Sequence, residues 1–232
     1  MLKSLQLWHD TTPRDGPLNM ALDEAMLEAA HDPCLRVYHW SEATISIGFS
    51  QPLSMIPESK KHWPVVRRWT GGGVVVHDGD WTYTLAIPAG HVVCDQKPAE
   101  TYRWIHEAMI AAFVKCGITD CALQSESVSD GMGVCFDEPA RFDVVQGGLK
   151  MAGAAQRRSK HGFLHQGTVQ PLRPPDDFAA AFASVLATEV ISIAQHRAES
   201  LFLSRAQSVA AVKYGAASWL HERLASSAKA PA

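Results

Sequence analysis

The spacing of apolar and polar positions changes character along the chain, and each change predicts an element. After Pro17 the stretch LNMALDEAMLEAA sets Leu18, Ala21, Leu22, Ala25 and Met26 at helical intervals, with Asp23, Glu24 and Glu28 on the other side. Past His31-Asp32-Pro33, the segments LRVYHW and TISIGFS are rich in β-branched and aromatic residues; separated by the polar SEA, they read as paired strands. PVVRRWT reads as a third strand running into Gly71-Gly72-Gly73, and VVVHDGDWTYTLAIP as two more around a turn at Asp78-Gly79-Asp80. Tyr102, Ile105, His106, Met109 and Phe113 predict a helix from Pro98 to Cys116 that stops at Gly117 and covers one face of the sheet.

The second half opens with SESVSDGMG, small and polar, which reads as a loop leading to Cys135. The run RFDVVQGGLKMAGAAQRRSKHGFLHQGTVQPL then alternates strand-like pieces with glycine turns at Gly147-Gly148 and near Gly162. One helix is expected to open at Pro175-Asp176-Asp177 and another to lie around residues 205 to 223, both outside the sheets. No domain-separating linker, repeat or long biased tract is visible, so residues 1–232 are expected to form one α/β (α+β) domain without a separate carboxy-terminal accessory domain.

Composition narrows the function classes. A formal net charge of −3 and pI near 6.4 leave no general excess of cations for nucleic acid, although basic residues cluster at Arg67-Arg68 and at Arg157, Arg158 and Lys160. The start, MLKSLQLWHD, lacks the apolar run of a signal peptide, and no window approaches the roughly 18 apolar residues of a membrane helix; a cytoplasmic location is expected. Five cysteines without a CxxC pair suggest neither a disulfide framework nor zinc, and the histidines show no metal-ligand spacing, so no metal site is expected.

Three stretches carry candidate chemistry. In RRWTGGGVVVHD the residues Gly71, Gly72 and Gly73 clear side chains from the backbone, so a ligand could lie in a narrow slot. Arg67 and Arg68 could neutralise an anion there, with Thr70 and His77 adding hydrogen bonds. A plain glycine bulge with solvent-facing arginines is the alternative. In GGLKMAGAAQRR, Lys150 stands on a strand among small residues, Gly153, Ala154 and Ala155, with room for a substrate beside it; a solvated strand lysine is the alternative. In LHQGTV, His165, Gln166 and Thr168 alternate around Gly167, and His165 is either an acid–base group or structural.

In order along the chain, LNMALDEAML, LRVYHWSEATISIGFSQP, RRWTGGGVVVHD, LKMAGAAQRR, LHQGTV and the tail KYGAASW resemble the lipoate-protein ligase and octanoyltransferase family, relatives of the biotin-protein ligases. The resemblance implies a fold with a mixed sheet flanked by helices. An acyl tunnel would be framed by the glycine loop, lined by Arg67, Arg68, Thr70, Gly71, Gly72, Gly73, His77, Gly153, Ala155, His165, Gly167 and Thr168, with Lys150 at the acyl head. The family's ligase branch makes an acyl-adenylate with ATP and Mg²⁺. Its transferase branch needs no such cofactor and passes the acyl group from acyl carrier protein through a cysteine.

The acceptor in either branch is a lysine of a lipoyl carrier domain, such as glycine cleavage H protein or a 2-oxoacid dehydrogenase E2. VCFDEPARFDVV is similar to CFDAPSWYELVV of the cysteine-dependent octanoyltransferases, which implies Cys135 as nucleophile; HDGDWTYTLAIP also looks like that branch. Near Phe142-Asp143 the ligases carry an Asn-Asp pair of which only the Asp stands here. Gly73 is the ligase-like feature, and LHQGTV departs from the usual QHG or HHG spelling, leaving open whether His165 or Gln166 faces the pocket.

Overall fold

The computed structural model describes residues 1–126 and 139–221. Eleven strands, β1 (Leu2–Arg14), β2 (Cys34–Trp40), β3 (Thr44–Ile47), β4 (Val65–Arg67), β5 (Val74–His77), β6 (Trp81–Pro88), β7 (Cys121–Leu123), β8 (Val144–Gln146), β9 (Leu149–Ser159), β10 (Gly162–Val169) and β11 (Ala187–Ser192), form two sheets among the described residues. The larger has the order β11-β1-β2-β6-β10-β9-β8-β7, parallel at the β11-β1-β2 end and antiparallel elsewhere. The smaller is β4-β3-β5.

The pairing of LRVYHW with TISIGFS is overturned. β2 joins β1 and β6 in the large sheet, whereas β3 joins β4 and β5 in the small one. The polar Ser41-Glu42-Ala43 link and the Asp78-Gly79-Asp80 turn are crossings between sheets rather than hairpins, with Gly79 supplying φ +80°. The run from Arg141 onward continues the large sheet. Unforeseen were β1, whose inward positions Leu2, Leu5 and Leu7 are buried among polar neighbours, and β11, which pairs with it in parallel.

Among the described residues, five helices flank the sheets. On one face lie α2 (Pro98–Lys115) and α3 (Phe178–Leu186), packing Ile105, Met109, Phe113, Phe178 and Phe182 against Tyr83, Phe163 and Val169. The other face receives α1 (Gly16–Ala29) and α4 (Gln195–Val209), followed by a π-helical turn at Ala210–Tyr214 and α5 (Ala217–His221). The tail helix thus begins ten residues before the predicted start (205 less 195).

Helix α1 also departs from its amphipathic reading, because two of the three carboxylates on its polar side, Asp23 and Glu24, are buried. Asp23 meets Arg36 Nη1 at 2.8 Å and Glu24 takes hydrogen bonds from Lys213 and Tyr214. The sequence marks a polar face, and the fold covers it with matching charges and donors, which removes the cost of burying them unpaired.

Candidate active site

The site begins with a strand alternation. On β10, Gln166 and Thr168 share one face with their cross-strand partners Ala155 and Gly153 on β9 and Thr84 and Thr82 on β6. That face lines a cavity of about 160 Å³ roofed by the small sheet and the glycine loop, through Ser46, Arg68, Gly72, Val75 and His77. His165, one residue off in register, falls on the opposite face. There it is fully buried, accepting from Tyr83 Oη at 2.9 Å and donating Nδ1–H to the Gln156 amide oxygen at 3.1 Å. Burial, with His106 close by, pushes its pKa well below the ordinary histidine value. The structure therefore does not bring His165 to the cavity, and Gln166 holds the inward position.

Lys150 reaches the same cavity through a break in alternation. Val144 pairs with Ala152 while the next residue, Val145, pairs with Lys150, so β9 carries one extra residue at Met151. Such a bulge moves the side chain beyond it to the other face. Lys150 Nζ then lies 2.8 Å from Asp143 Oδ2. It also lies 2.8 Å, and its Cε 2.5 Å, from where a Cβ on Gly153 would stand, so only glycine leaves the ammonium its place.

Asp143, 1% exposed, is held from three sides. Its Oδ2 accepts from Ala140 N at 2.7 Å and its Oδ1 from Tyr102, whose oxygen in turn accepts from Ala154 N at 2.9 Å. Phe142, just before it, takes the left-handed φ of +71°, which costs a bulky residue on the order of 1–3 kcal/mol. His106 Nδ1 holds that strained unit by donating to Phe142 O at 2.7 Å. Burial pushes the Tyr102 hydroxyl up, Asp143 adding to it, and pushes His106 down, so both stay neutral beside the ion pair.

The glycine loop is a backbone joint. Gly72 has φ +81°, and its carbonyl oxygen lies 1.8 Å from where a Cβ on Gly48 would stand. Both arginines are buried, contrary to the solvent-facing alternative. Arg67 donates to the carbonyls of Gly48, Gln51 and Leu220 and does not line the cavity; Arg68 does, bonding Ser46, Gly71 O and Gly73 O. Thr70 donates to Gln166 Oε1 at 2.7 Å, and Gln166 Nε2 donates to Asp23 at 2.7 Å, anchoring the loop to β10 and α1.

Of the sequence-derived set, Lys150, Arg68, Gly72, His77, Gly153, Ala155, Gly167 and Thr168 line the cavity. Arg67, Thr70, Gly71 and Gly73 shape its roof from behind, and Cys135 lies outside the described residues. Tyr102, Asp143, Ser46 and Trp40 were not foreseen as cavity residues. Asp143 could have been found from its place in the FDVV motif, whereas Tyr102 was read only as part of a helix stripe. The cavity presents a mostly apolar surface with the Lys150 ammonium and the Arg68 guanidinium in its wall, suited to an acyl chain with an anionic or polarised head.

The catalytic-domain family described as lipoyl protein ligase A/B matches residues 15–213. Octanoyltransferase LipM of Oceanobacillus iheyensis is 33% identical over 168 residues, covering 69% of this chain and 62% of that protein. The chain thus spans less than two thirds of the length of that curated relative. Among solved structures, lipoate-protein ligase A bound with ATP superposes with a TM-score of 0.70 at 22% identity, over 94% of this chain and 98% of the other. A bi-partite lipoate protein ligase from Thermoplasma acidophilum, described with its E2 lipoyl domain, gives 0.64 at 20% identity over 97% of each chain. The sheet order, the Lys150 cavity and a match across residues 15–213 agree: the chain belongs to the lipoyl protein ligase A/B catalytic-domain family.

Proposed function

We propose that the protein transfers an octanoyl or lipoyl group from acyl carrier protein to a lysine of a lipoyl carrier domain, through an acyl-enzyme on Cys135. The observation that carries this reading is the Lys150 ammonium, fixed by Asp143 in the wall of a cavity whose surface is mostly apolar. Burying the methylenes of an octanoyl chain, at about 0.8 kcal/mol each, would contribute about 5 kcal/mol to binding. Lys150 then faces the thioester end, where its charge favours a thiolate and an oxyanion. Cys135 stands five positions before Ala140, a residue of the cavity wall, and the relatives named octanoyltransferase LipM favour the transferase branch. Thioester exchange is close to balanced, so this route needs no ATP.

Incubation with octanoyl-acyl carrier protein, read by intact mass, is expected to show an octanoyl adduct on the wild type and none on Cys135→Ser. Unchanged octanoylation of a lipoyl domain by Cys135→Ala would overturn the cysteine route, and pyrophosphate release from lipoate and ATP would establish the ligase chemistry instead.

A further inference from the structure

A second cavity, of about 240 Å³, adjoins the acyl cavity and shares two of its walls, Trp40 and His77. Its rim includes Glu42, Asp78 and Arg173, all exposed, so it communicates with solvent. A continuous chain of hydrogen bonds crosses the partition between the two. Ser46, which lines the acyl cavity, has its Oγ 2.7 Å from His77 Nε2, and His77 Nδ1 is 2.8 Å from Oδ2 of Asp80, which lines only the second cavity.

The directions of these bonds follow from their partners. Arg68 Nη1 donates to Ser46 Oγ at 2.6 Å, so the serine hydroxyl points its own hydrogen at His77 Nε2. The Nδ1–H of His77 is then directed at the Asp80 carboxylate, which also accepts from Thr82 and Thr168 through the same oxygen. Asp80 lines the second cavity, and among the described residues its Oδ1 is buried without a hydrogen-bond partner. A carboxylate kept only to brace a turn gains nothing from leaving that oxygen without a donor. Trp40 stacks on the imidazole at 4.0 Å between centroids and fixes the plane of the ring.

We propose that Ser46, His77 and Asp80 form a proton outlet through the wall of the acyl cavity, taking the proton that the acceptor lysine's ammonium must lose before its nitrogen can attack. The inference rests on the acyl-transfer reading above. An ammonium proton passes to Ser46 Oγ as the serine hydrogen passes to His77 Nε2, giving a neutral amine and an imidazolium held by Asp80. The amine nitrogen then bonds to the acyl carbon, the C–S bond breaks, and the departing thiolate takes the second nitrogen proton. The imidazolium returns its proton to solvent by way of Asp80 and the second cavity. Ser46 and His77 line the acyl cavity, and Asp80 both orients His77 and relays its proton outward.

The test compares two acceptors for the octanoyl-enzyme: a lipoyl-domain lysine, an ammonium at neutral pH, and hydroxylamine, which is already neutral and needs no such step. In single-turnover mass measurements, His77→Gln is expected to lower the ratio of lysine to hydroxylamine discharge by about 100-fold and Asp80→Asn by about 10-fold, within the usual range for general-base loss. A structural role would slow both acceptors together, so an unchanged ratio overturns the outlet. Should His77→Gln fail to fold, Ser46→Ala reads the same ratio. If the wild type acylates neither itself nor a lipoyl domain, the transfer reading falls and the outlet with it; if it does both while the variants keep the ratio, only the outlet falls.

Discussion

Two buried charge clusters lie on the same side of the large sheet, and they differ in what their charges are for. Around Arg36 every direction is closed. The guanidinium meets Asp10 at 2.7 Å, Asp23 at 2.8 Å and Asn19 Oδ1 at 2.7 Å, and stacks over Tyr38 at 4.0 Å, with no exposure. Around Lys150 the cluster opens onto a space: Asp143 holds the ammonium at 2.8 Å, and the lysine itself lines the cavity. Saturated partners mark the first cluster as a clamp joining α1, β1 and β2. A charge set in the wall of a cavity marks the second as a site for a ligand.

The largest effect should come from breaking the clamp. Arg36→Met leaves Asp23 buried without its cation and Asp10 with Arg14 as its remaining one, and is expected to lower stability by about 3–5 kcal/mol in urea unfolding. Lys150→Met should cost less stability, since Asp143 keeps Tyr102 and Ala140, yet it should reduce acyl transfer about 1,000-fold. If the two variants lose stability and activity in equal proportion, the distinction between clamp and site is wrong.

A finer cut is Gly153→Ala. Its methyl would stand 2.5 Å from Lys150 Cε and 2.8 Å from Nζ, so the end of the lysine must shift from its place beside Asp143. Transfer is expected to fall about 10- to 100-fold, for a stability change of about 1–3 kcal/mol. Retained activity in steady-state assays would show that the ammonium need not stand where Gly153 allows it.

The smallest effect separates the two faces of β10. His165 and His106 have folded-state pKa values below the ordinary 6.5, chiefly from burial. As pH falls below 6.5 the unfolded chain takes up protons that the folded chain refuses, so stability drops, by up to about 1.4 kcal/mol per pH unit for each histidine. Thermal unfolding between pH 7 and 5 should show this loss, and His165→Gln should make it shallower. An unaltered slope would assign the loss elsewhere.

How far the sequence could be read varied with how local the cause was. Helices α1 and α2 and the glycine turns were legible because apolar spacing, Asp15 at the N-cap and Gly117 after α2 act within a few residues. The FDVV and LKMAGAA motifs likewise located the Lys150 region. Which sheet a strand joins was not legible: β2 and β3 have the same kind of composition, and their separation depends on β1, β4 and β6, distant in the chain. The start of α4 was missed because its first turns, Gln195 to Glu199, serve Trp8, Asp10 and Arg14 rather than an apolar stripe.

By itself the sequence determined the family, the lysine and the small residues around it, since residue types and their order are written there. The tertiary structure alone decided which side chains meet. One extra residue in β9 turns Lys150 toward Asp143, and one step of register along β10 sends Gln166 to the cavity and His165 to the core. Strand alternation has a period of two, so a single position reverses the face. Nothing in the local residue pattern records where a bulge will fall, because it is set by pairing with a neighbouring strand.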